Sequence, residues 1–261
     1  MGILPEWGAG WDGGDGASRV PVHRPIGYPP PVDLSRFEAL TFDCYGTLID
    51  WERGILDAVR PILRLHGIAF DDDWLLGLYA TAEAGAEAGP WRPYREVLGS
   101  VMDRLGAELG FAPDADERAA LARTLPDWPP FADTVEALKT LARGYRLAVV
   151  SNVDDDLFAG TWRRLGVAFE LVTTAQRVRS YKPEPAHFTV TLDRLRLDPG
   201  RVLHVAQSLY HDIAPARALG IATAWVNRRA GRPGPGATPP AEARPDLEIY
   251  DLKALVTLSG L

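Results

Sequence analysis

The sequence predicts an α/β protein, built as a doubly wound parallel sheet with an inserted helical cap. The first observation is that strand-like and helix-like patterns alternate from Phe37 to the end of the chain, as is typical of a parallel sheet with helices on both faces. The second is a single interruption, residues 52–126, where every apolar pattern has helical spacing. Because this block follows the first strand, we expect it to fold as a cap beside the sheet.

Composition and pattern divide the chain into three regions. Residues 1–35 are rich in Gly, Pro and Trp and show no hydrophobic period, which predicts a loose N-terminal arm. We assign the α/β core to residues 36–51 and 129–261, and the helical cap to residues 52–128.

Each element of the core has its own signal. Apolar runs predict strands at residues 38–42, 147–151, 170–174, 202–206, 221–226 and 247–250. Helices are predicted at residues 155–165, 185–196 and 212–220, the second opening at a proline and the other two ending at a glycine. A further helix begins at Asp133, where Glu136 three residues later gives the spacing of a capping box.

Four apolar stripes at helical spacing make up the cap. They cover residues 55–65, 74–79, 97–105 and 119–125. Glycine and proline separate them at Gly67, Gly89-Pro90 and Pro113. Between the last two strands of the core, the Gly/Pro-rich stretch 228–245 predicts a long loop.

Composition excludes several classes of partner. The net charge is −7, whereas binding to nucleic acid or to an acidic membrane depends on clustered Lys and Arg. No apolar run approaches the roughly 20 residues that cross a bilayer, and we recognise no signal peptide. Cys44 is the only cysteine, so no internal disulfide is expected and a cytoplasmic location is the default prediction.

Polar side chains follow the predicted strands at four points. They are Asp43, Ser151, Lys182 and Asp212, each directly after a strand or in the loop that follows one. Functional groups in a parallel sheet gather at the carboxyl ends of the strands. Each residue alone has an ordinary explanation as a turn cap, a helix cap or a surface charge. Their coincidence at one edge favours a functional site.

Asp43 is the candidate nucleophile, since a carboxylate at the end of a strand and before a glycine turn can attack a substrate. Thr47 follows within the same turn. Two residues after Asp43 stands Tyr45 rather than a second aspartate. The general acid expected of a phosphate-cleaving enzyme is therefore missing, which shifts the prediction toward displacement at carbon.

The other candidates have supporting parts in this hypothesis. Ser151 and Asn152 are predicted to bind an anionic group near Asp43. A lysine between two carboxylates would keep both ionised, which is the prediction for Lys182. Gln207, Ser208 and His211 are further candidates near Asp212. We expect Cys44 to be a buried, inert thiol, and the acidic runs at 71–73 and 154–156 to begin helices rather than bind metal.

The ordered set of motifs resembles the haloacid dehalogenase superfamily from Phe37 to the C-terminus. The set is Asp-x-x-Gly-Thr at residues 43–47, Ser-Asn at 151–152, Lys-Pro at 182–183, and an aspartate at the start of a helix at 212. Within the superfamily the segments around Tyr45, Tyr181 and Trp225 look most like the 2-haloacid dehalogenase branch. The resemblance implies a Rossmann-like core and a helical cap.

The resemblance also implies a mechanism. Asp43 would attack the carbon that bears the leaving group, and water would hydrolyse the resulting aspartyl ester. Lys182 and Asp212 would orient Asp43 and the water, while Tyr45, Thr47, Ser151 and Asn152 would contact the substrate. Halide leaves without a proton, so Tyr45 in place of an acid is consistent with this chemistry.

The chain departs from the dehalogenases on the side of the leaving group. Those enzymes carry an arginine in the cap that receives the halide, but the matching stretch here, Leu78-Tyr-Ala80, has none. Arg92 and Arg95 are the candidate substitutes. The family's tyrosine after the Lys-Pro loop is Phe188 here, and its Ser-x-Asn segment before the last aspartate is Gln207-Ser-Leu209.

The sequence thus predicts hydrolytic dehalogenation of a small 2-haloalkanoic acid to a 2-hydroxy acid, with no metal or other cofactor. One alternative is a magnesium-dependent phosphatase acting on a small phosphate ester. Another is a catalytically silent relative with a binding function. The expected partner is a small carboxylate, without nucleic acid or membrane, and a homodimer is a further expectation.

Overall fold

The computed structural model describes residues 32–261, so the predicted arm lies outside the described residues except for its last four. A six-stranded, entirely parallel sheet forms the centre, in the order β3-β2-β1-β4-β5-β6. The strands are β1 (Ala39–Phe42), β2 (Arg146–Ser151), β3 (Leu171–Thr174), β4 (Val202–Ala206), β5 (Ala222–Val226) and β6 (Leu247–Ile249). The predicted fold class is confirmed, with each strand within two residues of its expected bounds.

The start of the core differs slightly from the prediction. Leu34–Arg36 form a 3-10 turn, and the Leu34 side chain is buried. The Tyr145 hydroxyl donates a hydrogen bond to the Leu34 carbonyl at 3.3 Å. The last residues of the predicted arm therefore belong to the core, because Leu34 completes its apolar packing.

β1 occupies the centre of the sheet and every residue in it is buried. Its neighbours are β2 on one side and β4 on the other, so Thr41 lies beside both Ala148 and His204. The connections that follow β1 and β4 run to opposite sides of the sheet, which leaves a crevice at the carboxyl end of β1. Asp43 lies at this crevice.

Helices cover the sheet and build the cap. The cap helices are α1 (Trp51–Leu65), α2 (Asp72–Glu87), α3 (Tyr94–Leu109), α4 (Ala115–Arg118) and α5 (Ala120–Thr124). The core helices are α6 (Thr134–Leu141), α7 (Asp155–Leu165), α8 (Ala175–Val178), α9 (Ala186–Leu195), α10 (Ala214–Ala218) and α11 (Leu252–Ser259). No helix within residues 32–261 has the length and apolar character needed to cross a membrane.

α2 and α3 pack against each other, and their apolar faces are buried in the cap. The acidic run before α2 starts the helix as predicted, since the Asp71 carboxylate accepts a hydrogen bond from the Trp74 amide at 2.9 Å. Cap and core are continuous, and residues 32–261 form one compact unit.

Contacts between distant segments hold the cap against the core. The Asp154 carboxylate accepts hydrogen bonds from the amides of Tyr94 and Arg95, at 2.9 and 3.0 Å, and so caps the first turn of α3. The Tyr181 hydroxyl donates to the Arg92 carbonyl at 2.8 Å. The prediction that Asp154 begins a helix is thus only partly right. Asp154 precedes α7, but its carboxylate binds the first turn of α3 in the cap domain.

Asp133 is a second carboxylate whose use is set by tertiary contacts. It precedes α6, yet its side chain makes no capping bond to that helix, so the predicted capping box is wrong. The carboxylate instead accepts from the Arg228 guanidinium at 2.9 and 3.0 Å and from the Leu252 amide at 2.7 Å. The Arg228 guanidinium and the first amide of α11 thus bind this carboxylate in place of the nearby amides of α6.

Candidate active site

Three predicted residues meet at the carboxyl end of β1. The Lys182 ammonium donates to Oδ1 of Asp43 at 2.8 Å, to Oδ1 of Asp212 at 2.7 Å and to the Val150 carbonyl at 3.0 Å. An ammonium has three N–H groups, so all of its donors are used. Lys182 is 2% exposed. The expected cation between two carboxylates is present in the structure.

The second oxygen of Asp43 is held by the turn that follows. The Thr47 hydroxyl donates to Oδ2 at 2.7 Å and accepts from the Gln207 amide at 2.8 Å. Gly46 makes this turn possible, because its φ is +92° and a Cβ there would lie 2.9 Å from Nε1 of Trp51. Each Asp43 oxygen therefore has a fixed donor.

Arg228, which sequence reasoning missed, binds the backbone of this turn. The Arg228 guanidinium donates to the Thr47 carbonyl at 2.9 Å, stacks on the Phe131 ring at 4.1 Å and pairs with Asp133. The available signal is Asn227-Arg228, directly after β5, in the segment around Trp225 that resembles the dehalogenases. Arg228 thus fixes the backbone that orients Thr47 toward Asp43.

Asp212 lies in a π-helical turn, Leu209–Ile213, rather than at a helix cap as predicted. Its Oδ1 accepts from Nε2 of His204 at 3.0 Å, and Nδ1 of that imidazole accepts from the Thr41 hydroxyl at 2.9 Å. We assign the proton to Nε2 because an ionised carboxylate can only accept. Oδ2 of Asp212 is buried and has no partner from residues 32–261.

The environment sets the ionisation of these groups. Burial opposes ionisation of Asp212, but the nearby Lys182 ammonium and the His204 hydrogen bond lower the pKa of this carboxyl to about 2. For Asp43, burial dominates over the Lys182 and Thr47 contacts and raises the pKa above its usual value. Although burial disfavours the charged ammonium, the two carboxylates raise the pKa of Lys182. Lys182 therefore stays charged.

Tyr45 lines the site but offers no acid to it. Its hydroxyl is hydrogen-bonded to that of Thr161 at 2.9 Å, and its ring meets the Trp128 ring edge-on at 6.0 Å. Burial raises its pKa well above the usual value. The neighbouring Cys44 is buried and free, and burial raises its pKa too, as expected for an inert thiol.

Ser151 and Asn152 have different environments, although both were predicted to bind substrate. The Ser151 hydroxyl is buried in the cavity wall and has no partner from the described part of the chain. The Asn152 side chain instead accepts from the Lys182 amide at 2.8 Å and donates to the Lys182 carbonyl at 3.2 Å. Asn152 therefore positions the lysine backbone, and Ser151 keeps a free hydroxyl.

The proposed arginine substitutes do not reach the cavity. Arg92 donates to the Ala86 carbonyl at 3.1 Å and the Ser100 hydroxyl at 2.9 Å. Arg95 pairs with Asp156 and lies 3.6 Å from Asp154. Both guanidiniums hold the cap together or to the core, so the structure does not support their predicted contact with substrate. Helix phase alone did not show this because both side chains are long enough to turn away.

Three further predicted residues form the wall next to Asp212. Ser208 accepts from the His211 amide at 2.9 Å and is hydrogen-bonded to Thr238 at 2.9 Å. Burial lowers the pKa of His211 to about 4, so the imidazole is neutral near pH 7. The carbonyl of Gln207 accepts from the Trp225 indole at 2.8 Å. These residues line the cavity, but none of them carries a charge.

Two glutamates of α2 complete the site, and sequence reasoning missed both. Glu83 accepts hydrogen bonds on Oε1 from the hydroxyls of Tyr79, at 2.8 Å, and Tyr94. Glu87 lies against Asn152, whose amide nitrogen is 3.3 Å from each carboxylate oxygen. Burial raises the pKa of Glu83 to about 7 and that of Glu87 well above its usual value. The available signal was two acids four residues apart in a helix otherwise rich in Ala and Gly.

These groups line a small, partly open cavity between the strand ends and the cap. A wider cleft of about 910 Å³ lies outside it and shares Glu87, Lys182 and His211 as lining residues. The residues that line the inner cavity are Asp43, Tyr45, Trp51, Glu83, Glu87, Tyr94, Ser151, Asn152, Lys182, Gln207, Ser208, His211 and Asp212.

Sequence comparison identifies the family of the chain. The family model for haloacid dehalogenase-like hydrolases matches residues 37–220. The chain belongs to this family.

The curated relatives include dehalogenases and a pyrophosphatase. An (S)-2-haloacid dehalogenase from Xanthobacter autotrophicus is 28% identical over 197 residues, covering 73% of this chain and 75% of the relative. The haloacetate dehalogenase H-2 of Moraxella sp. (strain B) is 26% identical, covering 75% and 88%. The pyrophosphatase PpaX of Bacillus velezensis is 25% identical, covering 87% and 98%.

Solved structures agree on the architecture. The crystal structure of an L-2-haloacid dehalogenase superposes with a TM-score of 0.70 at 25% identity, covering 85% of this chain and 97% of the other. The L-2-haloacid dehalogenase from Xanthobacter autotrophicus gives a TM-score of 0.70 at 22% identity, covering 85% and 98%. The Rossmann-like core of this hydrolase is therefore the one predicted.

Proposed function

We propose that this hydrolase displaces a halide from carbon through an ester on Asp43. The observation that carries the proposal is the fixed carboxylate: Lys182 and Thr47 each hold one oxygen of Asp43 at the floor of the cavity. A group held in this way is oriented for attack, and covalent catalysis divides one difficult displacement into two easier steps.

Each step uses groups that line the cavity. In the first step an oxygen of Asp43 bonds to the substrate carbon, while the carbon–halogen bond breaks and the halide leaves with its electron pair. In the second step water adds to the carboxyl carbon of Asp43 and an alcohol leaves. Oδ2 of Asp212, which lacks a partner within residues 32–261, is available to orient that water.

The absence of an acid next to Asp43 favours halide as the leaving group. The Tyr45 hydroxyl is bonded to Thr161 and has a raised pKa, so it is poorly suited to protonate an oxygen leaving group. Halide needs no proton. Relatives named as haloacid dehalogenases support the same choice. The sequence prediction of a 2-haloalkanoic acid as substrate makes these acids the first compounds to test.

A magnesium-dependent phosphatase is the second candidate, because the relatives include a pyrophosphatase and Asp43 and Asp212 lie close enough to share one ammonium. In that case the two carboxylates would hold the ion, which would neutralise the phosphate charge. The donor set fits poorly, since residues 32–261 contain no group of three acidic, histidine or cysteine side chains arranged to hold a metal.

The experiment is halide release from 2-chloro- and 2-bromopropionate in the presence of a chelator, comparing the wild type with Asp43→Asn. A single turnover in ¹⁸O-labelled water, with enzyme in excess, should place the label in the Asp43 carboxylate. Label found only in the product would contradict the ester. Magnesium-dependent hydrolysis of p-nitrophenyl phosphate would support the phosphatase instead, and inactivity in both assays would support the silent relative.

A further inference from the structure

The charge of the inner cavity is unusual for a site that would receive an anion. Four carboxyl groups line it, from Asp43, Glu83, Glu87 and Asp212, against a single Lys or Arg side chain, that of Lys182. A small space lined by this excess of carboxyl groups favours a cation over an anion, because each group that ionises attracts a cation and few water molecules screen the charge.

The Lys182 ammonium is not free to bind an anion. Its three N–H groups already donate to two carboxylates and a carbonyl. The nearby guanidiniums lie elsewhere: Arg92 and Arg95 bind cap and core groups, and Arg179 stacks on the Trp91 ring at 4.3 Å in the outer cleft. A substrate carboxylate or a halide in the inner cavity therefore meets no available cation among the residues that the structure describes.

The two glutamates of α2, in contrast to Lys182, have carboxylate oxygens that are available to bind a ligand. Oε1 of Glu83 is satisfied by two tyrosine hydroxyls, whereas Oε2 accepts no hydrogen bond from residues 32–261. Glu87 has the 3.3 Å contacts to Asn152, and Nε2 of His211 lies 3.9 Å from its Oε2. Burial is the main cause that raises the pKa of both groups. A cation beside them would compensate for burial and favour their ionised forms.

The remaining walls suit the same kind of ligand. The rings of Trp51 and Tyr94 line the inner cavity together with the glutamates. Aromatic faces attract ammonium groups, by about 0.5–2 kcal/mol depending on solvent exposure. Carboxylates and aromatic rings thus line the same cavity as Asp43.

We propose that the inner cavity selects a small haloalkyl substrate with an ammonium head group, which Glu83 and Glu87 hold while Asp43 displaces the halide. This substrate class rests on the proposed function. It differs from the predicted 2-haloalkanoic acid in having a cationic head group in place of the carboxylate. The reaction is balanced: Asp43 forms the C–O bond as the C–X bond breaks, and water then releases an amino alcohol and one proton.

Three bromides that differ only in the head group test this selection. They are 2-bromoethylammonium, the uncharged 1-bromopropane and the anionic 3-bromopropionate, with bromide release measured at pH 7 and corrected for enzyme-free and Asp43→Asn rates. We expect kcat/KM for the cation to exceed those for the other two by at least tenfold. In Glu83→Gln and Glu87→Gln, the ratio of cation to uncharged compound should fall at least fivefold.

A matched control separates the inner cavity from the outer cleft. Arg179→Ala removes the guanidinium of the outer cleft and should leave the order of the three bromides unchanged. A preference for 3-bromopropionate that disappears in Arg179→Ala would overturn the proposal, since the head group would then bind in the outer cleft as an anion. An unchanged cation-to-uncharged ratio in both glutamine variants would also overturn it.

Equilibrium binding tests the head-group selection independently of halide displacement. Propylammonium and propionate, which have no leaving group, are titrated into the wild type and both glutamine variants by calorimetry, and thermal melts verify that the variants are folded. Tighter binding of propylammonium, weakened at least fivefold by either variant, supports the selection even if no bromide is released and displacement fails. Tighter binding of propionate overturns the selection even if bromide is released.

Discussion

The cavity has two sides that carry different charged groups. The sheet edge is formed by the carboxyl ends of the strands, and the cap face is formed by helix α2. At the sheet edge, Asp43, Lys182 and Asp212 form a connected network with distances of 2.7 and 2.8 Å. On the cap face, where an anion-binding arginine was expected, Glu83 and Glu87 are buried against the cavity. The comparison teaches that the proposed nucleophile and the proposed head-group site are separable parts of the cavity. One is built on strand ends and the other on a helix face.

Asp43→Asn should cause the largest effect, because it removes the proposed nucleophile while keeping the shape of the sheet edge. We expect kcat for halide release to fall by roughly 10⁴-fold or more, as for loss of other covalent nucleophiles. The melting temperature should stay within a few degrees. Steady-state halide assays and thermal melts check both, and full activity would show that the sheet edge does not carry the chemistry.

Lys182→Met should disrupt the sheet edge in a different way, since two buried carboxylates would lose their shared cation. Leaving buried charges uncompensated costs about 3–5 kcal/mol of folding free energy. We expect chemical denaturation to show such a loss and activity to fall more than 100-fold. If stability changed by less than about 1 kcal/mol, the ammonium would not be the group that neutralises Asp43 and Asp212.

Glu83→Gln tests the cap face through the pH dependence of stability. The folded-state pKa of about 7 lies above the usual value of 4.5, so the folded protein binds the proton more tightly. Glu83 therefore lowers stability as pH rises from 4.5 to 7, by up to about 3 kcal/mol.

The measurement is urea denaturation at pH 5 and pH 8 for the wild type and the Glu83→Gln variant. The variant should lose less stability over this interval than the wild type. Glu96→Gln is the matched control, because Glu96 is an exposed glutamate of the neighbouring helix α3. An identical loss in all three proteins would contradict a buried, proton-binding Glu83.

His204→Gln should have a moderate effect that sharpens the account of the sheet edge. The imidazole donates to Asp212 and accepts from Thr41, and a hydrogen bond to a charged group contributes about 1.5–3 kcal/mol. We expect about 2 kcal/mol of destabilisation and roughly a tenfold drop in kcat. The acid limb of the kcat profile should move to higher pH, a readout that purely structural damage would not shift.

Tyr45→Phe should have the smallest effect. The change removes one buried hydrogen bond, to Thr161, and should cost about 1 kcal/mol. Because the phenol is not expected to donate a proton in the reaction, kcat should change by less than about threefold. A loss of 100-fold would make the Tyr45 hydroxyl part of the chemistry and reopen the choice of leaving group.

Much of the sheet edge could be predicted because its signals are local. Apolar runs identify the strands, and a glycine with positive φ marks the turn after β1. Parallel strands bring their carboxyl ends to one edge, so Asp43, Lys182 and Asp212 were expected together. The use of Asn152 and Asp133 was missed, since their partners, Lys182 and Arg228, are distant in sequence.

The sequence by itself determined the parallel sheet, the inserted helices and the residues at the strand ends, because hydrophobic period and turn chemistry act over a few residues. Only the tertiary structure decided which charges face the cavity. Arg92 and Arg95 turn toward cap and core partners, whereas Glu83 and Glu87 turn inward. The direction of a long charged side chain depends on the partners and burial that packing provides, and these come from segments far apart in the chain.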